Sequence, residues 1–98
     1  MAYALAFHPQ ALAQWRKLDA SVAQQFKNKL AERIEQPSVP SARISGGPDL
    51  YKIKLRTVGC RLVYQLQNRR LTVLVLAVGR RERNEAYEAA LGRQGISR

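Results

Sequence analysis

Residues 49–64 read Asp-Leu-Tyr-Lys-Ile-Lys-Leu-Arg-Thr-Val-Gly-Cys-Arg-Leu-Val-Tyr, and they constrain the fold more than any other stretch. Apolar and cationic residues alternate with period two on both sides of Val58-Gly59, the pattern of a hairpin with one buried face. Strand side chains point to opposite faces in turn, so Tyr51, Ile53 and Leu55 share one face and Lys52, Lys54 and Arg56 the other. With a two-residue turn at Val58-Gly59, Arg56 faces Arg61, Lys54 faces Val63 and Lys52 faces Gln65. Four cations then lie on one side, and Cys60, Leu62, Tyr64 and Leu66 join the apolar side. Like charges crowded across a sheet are destabilising, so this face is expected to meet an anion.

The whole chain points the same way. Its 98 residues suit one domain with a modest core, and 17 Lys+Arg against 7 Asp+Glu leave a net charge of +10. A small domain this basic is expected to meet nucleic acid, an anionic surface or an acidic protein. The apolar run at 71–78 is far too short to span a bilayer. No charged segment precedes the apolar N-terminal residues, so no signal peptide is expected. A single cysteine rules out an intrachain disulfide, and a cytoplasmic location is expected. One histidine, one cysteine and seven scattered acids offer little to a transition metal, so neither a metal nor a cofactor is expected.

Residues 2–7 alternate weakly and predict a first strand. His8 serves as a turn or cap residue, and Pro9 opens a helix packed through Leu12, Trp15, Arg16 and Leu18. Asp19 or Ser21 caps a second helix, in which Val22, Phe26, Leu30 and either Arg33 or Ile34 recur at helical spacing. Lys27, Lys29, Glu32, Arg33 and Glu35 fall on its wetter side, and the two helices form a hairpin. Residues 36–48 hold three prolines, three serines and Gly46-Gly47, a loop. The cationic hairpin follows, then a turn at 68–70. The run at 71–78, apolar on both faces, predicts a central strand ended by Gly79. Residues 80–91 predict a short third helix. The expected fold is α+β: a mainly antiparallel four-stranded sheet, an N-terminal helical hairpin and a short C-terminal helix, within one domain at 1–92 and a flexible tail at 93–98.

Four segments together resemble the RelE-type toxins of the RelE/ParE toxin–antitoxin superfamily. They are Gln14-Trp15-Arg16-Lys17-Leu18, Pro48-Asp49 with residues 51–56, Cys60-Arg61-Leu62-Val63-Tyr64-Gln65, and Val78-Gly79-Arg80-Arg81-Glu82-Arg83 followed by Tyr87. The resemblance covers nearly all of residues 1–91. It implies a microbial RNase fold and a ribosome-dependent endoribonuclease that cuts messenger RNA in the ribosomal A site. It further implies a RelB-like antitoxin, partly disordered when free, that covers or displaces the third helix and through which the complex binds its own operator. Lys52, Lys54, Arg61, Arg81 and Tyr87 stand where such toxins keep their catalytic residues. The chain departs at Ser45, where close relatives place a basic residue; the nearest cation is Arg43. With Arg56, Arg80, Arg83, Lys27 and Lys29, Arg43 completes the expected RNA-binding set. The same fold also serves ParE-type gyrase poisons, and an inert RNA-binding module would use the same cations.

Cleavage of RNA by its own 2′-hydroxyl needs a base, charge neutralisation at the phosphate and a proton for the 5′ oxygen. The only histidine precedes a helix start and no acid lies on the cationic face, which leaves lysine and arginine. Lys54, mid-strand among Lys52, Arg56 and Arg61, is the best placed to lose its proton. Guanidinium forks at Arg61 and Arg81 suit the phosphate. A helical wheel aligns Tyr87 with Arg80 and Arg83, so the choice of Arg81 rests on the resemblance. Tyr87 has the chemistry either to stack on a base or to orient the 2′-hydroxyl.

Overall fold

The strand at Thr72–Arg80 (β4) is buried from Val73 through Val78, as a strand covered on both faces must be. The computed structural model describes residues 2–80 and 85–93. In it β4 lies between Ala4–Phe7 (β1), parallel to it, and Cys60–Gln67 (β3), antiparallel; Leu50–Leu55 (β2) closes the far edge in the order β1-β4-β3-β2. The α+β expectation holds, with β1 as the one parallel neighbour.

Two helices cover the first face of the sheet. Pro9–Arg16 (α1) starts at His8, whose Nδ1 accepts from the Gln10 N–H at 3.2 Å, so the expected cap role holds. Ala20–Glu35 (α2) turns Val22, Phe26 and Leu30 inward against Ile53, Leu55, Leu62, Tyr64, Val73 and Val75. Trp15 bridges the two helices, edge-on to Phe7 at 5.3 Å and tilted on Phe26 at 6.1 Å. Burying a ring such as that of Phe26 is worth roughly 1.5–3 kcal/mol. Arg16 is exposed and leaves the packed stripe to Ala11. Arg33 is not on the wet side: it donates to Lys52 O at 3.1 Å and to Tyr64 Oη at 3.0 Å.

The second face has a smaller core of Leu50, Val63, Leu74, Leu76 and Ala77 under Glu85–Arg93 (α3), which contributes Ala86 and Ala90. Three boundaries differ from expectation. Leu71 is an exposed left-handed residue at φ +47° closing the 3-10 turn at Asn68–Arg70, so β4 starts one residue later. Gly79 does not end β4; Arg80 extends it and so does not open the helix. α3 continues through Arg93, which donates to Gln14 Oε1 at 3.0 Å and Leu76 O at 2.8 Å and so belongs to the fold, not to a tail. Residues 94–98 of the expected tail lie outside the described residues.

Candidate active site

The hairpin keeps the expected faces but not the expected partners. Its connection is four residues long, 56–59, with Gly59 at φ +66°, so Lys54 pairs with Arg61, Lys52 with Val63 and Leu55 with Cys60. Relative to the two-residue turn this is a slip of two residues. A slip of two preserves the alternation, so every side chain stays on its predicted face. Arg56 moves off the ladder into the exposed connection.

On the second face, beyond α3, the lysines and Arg61 therefore cluster. Lys52 is half-buried beside Val63, Lys54 is exposed and Arg61 is half-buried opposite it. Arg61 pairs on its other side with Gly79 of β4, giving a row Lys54–Arg61–Gly79 across three strands. The Lys54 ammonium is pushed below the ordinary lysine range, chiefly by the positive charge of Lys52. Loss of solvent, the charges of Arg61 and Arg56 and a hydrogen bond with Lys52 act in the same direction. Because the side chain is exposed, repulsion is the main lever, and it makes Lys54 readier than an ordinary lysine to shed its proton and stand as a neutral amine.

The first face holds this site from behind. Arg33 reaches up from α2 to the Lys52 carbonyl and lies 5.8 Å over the Tyr64 ring. Tyr64 Oη donates to Pro37 O at 2.7 Å, and its ring stacks on Tyr51 at 5.5 Å. Burial raises the Tyr64 phenol, so it stays a neutral donor. Both tyrosines are core, as their parity predicts. Sequence reasoning did not assign Arg33 this support; its spacing from Leu30 along α2 is the one signal that could have.

The remaining predicted RNA-binding residues divide between places. Arg43 bridges to Tyr51, a first-face residue, so the pairing turns it away from Lys52 and Lys54. Arg80 pairs with Cys60 and so also takes the first face, where it helps line a groove of about 710 Å³ with Lys17, Asp19 and Ser21. Lys27 and Lys29 are exposed on α2, across the sheet from the lysines. Arg81, Arg83 and the side chain of Tyr87 lie outside the described residues; the Tyr87 backbone is part of α3. Among the described residues no three His, Cys, Asp or Glu side chains gather as a metal site would require, and no helix is long and apolar enough to cross a membrane.

The sequence and fold match known proteins over nearly their whole length. A sequence model of the family described as "ParE toxin of type II toxin-antitoxin system, parDE" matches residues 5–85. The mRNA interferase toxin RelE of Escherichia coli (strain K12) is 48% identical over 93 residues, which is 95% of this chain and 98% of that protein. A mutant of Escherichia coli RelE in the free state superimposes with a TM-score of 0.88 at 46% identity, covering 95% of this chain and 98% of the other. The toxin in the intact Escherichia coli RelBE toxin–antitoxin complex gives 0.79 at 47% identity, covering 81% and 96%. With the cationic second face in place beside these matches, the chain belongs to the RelE/ParE family of type II toxin–antitoxin toxins.

Proposed function

We propose that this protein is the toxin of a type II pair and a ribosome-dependent endoribonuclease that cuts messenger RNA in the A site and stops translation. One observation carries the reading: Lys52, Lys54 and Arg61 converge on the second face, and repulsion among them lowers the proton affinity of Lys54. That is a site for a phosphodiester. In it Lys54, once neutral, takes the 2′-hydroxyl proton, and the 2′ oxygen attacks phosphorus as the bond to the 5′ oxygen breaks. Arg61 and Lys52 hold the charge that gathers on the phosphoryl oxygens, and Arg81 is proposed to share that work. The 5′ oxygen must gain a proton as it leaves, a role proposed for Arg81 on family likeness, and Tyr87 is proposed to stack on or orient the nucleotide.

The relative at 48% identity carries the name of an mRNA interferase, and the solved RelBE complex pairs a similar toxin with an antitoxin. A RelB-like antitoxin is accordingly the proposed partner, and the cytoplasm, where ribosomes are, the proposed place of action. The family model named for ParE favours a second reading, poisoning of DNA gyrase. Primer extension on a messenger, with and without programmed ribosomes, separates the two when run beside a gyrase supercoiling assay. Cuts at ribosome-occupied codons, with gyrase unaffected, are expected. Inhibited supercoiling with an intact messenger would replace this reading with the gyrase one.

A further inference from the structure

The ladder between β3 and β4 is not continuous. Leu66, Gln65 and Tyr64 pair with Val73, Leu74 and Val75, but Val63 pairs with Ala77, so Leu76 is an extra residue in β4. Leu76 and Ala77 accordingly both enter the second core, whereas Val75 and Val78 both enter the first. A bulge of this kind reverses the facing of everything beyond it. Without it the ladder would set Val78 opposite Arg61; with it Gly79 takes that place.

The bulge is held by two side chains from elsewhere in the fold. β1 covers β4 only as far as the pairing of Phe7 with Val75. Past that point the Val78 N–H donates to Gln14 Oε1 at 3.2 Å, and Leu76 O accepts from Arg93 Nη1 at 2.8 Å. Arg93 also donates to Gln14 Oε1 at 3.0 Å, closing a triangle between α1, α3 and the bulge. Buried backbone groups left unpaired are costly, so the triangle keeps the extra residue where it is.

We infer that the bulge clamped by Gln14 and Arg93 is a positioning device for RNA cleavage, setting Gly79 rather than Val78 beside Arg61 so that the row Lys54–Arg61–Gly79 carries no side chain on its third strand. Without a β-carbon at Gly79 a nucleotide backbone can approach the strand beside Arg61; a β-carbon there meets the substrate instead. Gln14, Arg93 and Gly79 are positioning residues, none of them a proton carrier. This rests on the endoribonuclease reading.

The test uses the full chain on programmed ribosomes under single-turnover conditions, with ribosome affinity and thermal melting measured on each variant. Gly79→Ala is the sharpest probe, because alanine in a strand interior is no worse for folding than glycine. It should melt no lower than the parent and bind ribosomes as well, yet cut roughly tenfold more slowly, and Gly79→Val about a hundredfold more slowly. Gln14→Leu should speed hydrogen exchange at the Val78 amide and slow cutting about tenfold, while Gln14→Glu, which keeps an acceptor for both donors, should restore both. Parental cutting rates in Gly79→Ala and Gly79→Val would overturn the inference, as would faster Val78 exchange in Gln14→Leu with the rate unchanged. A parent chain that leaves messenger uncut on ribosomes would remove the functional reading, and this inference with it.

Discussion

At the scale of single residues, two titrating side chains both favour the deprotonated state, one for chemistry and one for the fold. In its proposed role as base Lys54 works only once neutral, so the single-turnover cleavage rate should rise with pH until its ammonium is mostly lost. Lys52 is the main source of its depressed proton affinity. Lys52→Gln should therefore move the rising limb to higher pH, besides lowering the plateau. Lys54→Arg keeps the charge but cannot shed it in this range, so it should bind ribosomes and lose about 10²–10⁴ in rate. A Lys54→Arg enzyme with the parental rate and pH profile would make Lys54 a phosphate clamp. His8 titrates for the sake of the fold. Its buried ring and the charge of Arg93 lower its pKa from 6.5, and its Nδ1 can accept from Gln10 only when unprotonated. The folded state thus binds fewer protons than the unfolded one below pH 6.5. Stability is full above that pH and declines as pH falls toward the folded-state pKa. His8→Asn keeps a capping acceptor without the titration, so its urea midpoint should vary less between pH 7.5 and 5 than the parent's.

At the scale of elements, the 36–48 loop and α3 act on each other. Gly46 has φ +110°, and a β-carbon built there would collide with Leu91 Cδ2. Gly46→Ala thus combines an unfavourable backbone conformation with overpacking, a cost of roughly 1–3 kcal/mol. Denaturant unfolding should show that loss. If α3 gives way before the sheet, faster exchange should appear first at the Ala86 and Ala90 amides. An unchanged midpoint would mean that the loop moves aside freely. The loop is tied at its other end by Tyr64 and Pro37, so the layer behind Lys52 and the helix beside it share one connection.

At the scale of the molecule, a net charge of +10 on 98 residues suits association with RNA, while the proposed base and its neighbouring cations share one face. Lys27→Ala and Lys29→Ala, across the sheet from the lysine pair, should flatten the salt dependence of ribosome binding by about one unit of slope per charge removed and leave the single-turnover rate alone. Equal losses of rate from these and from Arg61→Ala would point to an inert binding module. The chain's one histidine caps α1, so the proposed site is expected to depend on the ribosome to orient its substrate, and free messenger should be cut far more slowly than ribosome-bound messenger. Chelators should leave cutting intact on ribosomes kept assembled; activity lost in EDTA and restored by one transition metal would expose a site not described above.

The alternation at 51–55 and 60–66 was enough, with no other information, to assign every hairpin side chain to its face, because parity survives any slip of two residues. The doubly apolar run after residue 71 was enough to make β4 central, since only a strand covered on both sides can hide so much hydrocarbon. The family was legible too, in four short motifs. Pairing was not: alternation says which side a residue takes but not which residue it meets, and the four-residue connection placed Lys54, not Arg56, opposite Arg61. Nor was the bulge, because Leu76 and Ala77 stand in an unbroken apolar run that carries no mark of a reversal. Their exchange of faces is decided by the second core under α3 and by Gln14 and Arg93, residues 62 and 17 positions away from Leu76 in the chain. Tertiary packing also sent Arg43, Arg80, Lys27 and Lys29 away from the lysine face, since a count of cations carries no direction until the layers on either side of the sheet are in place.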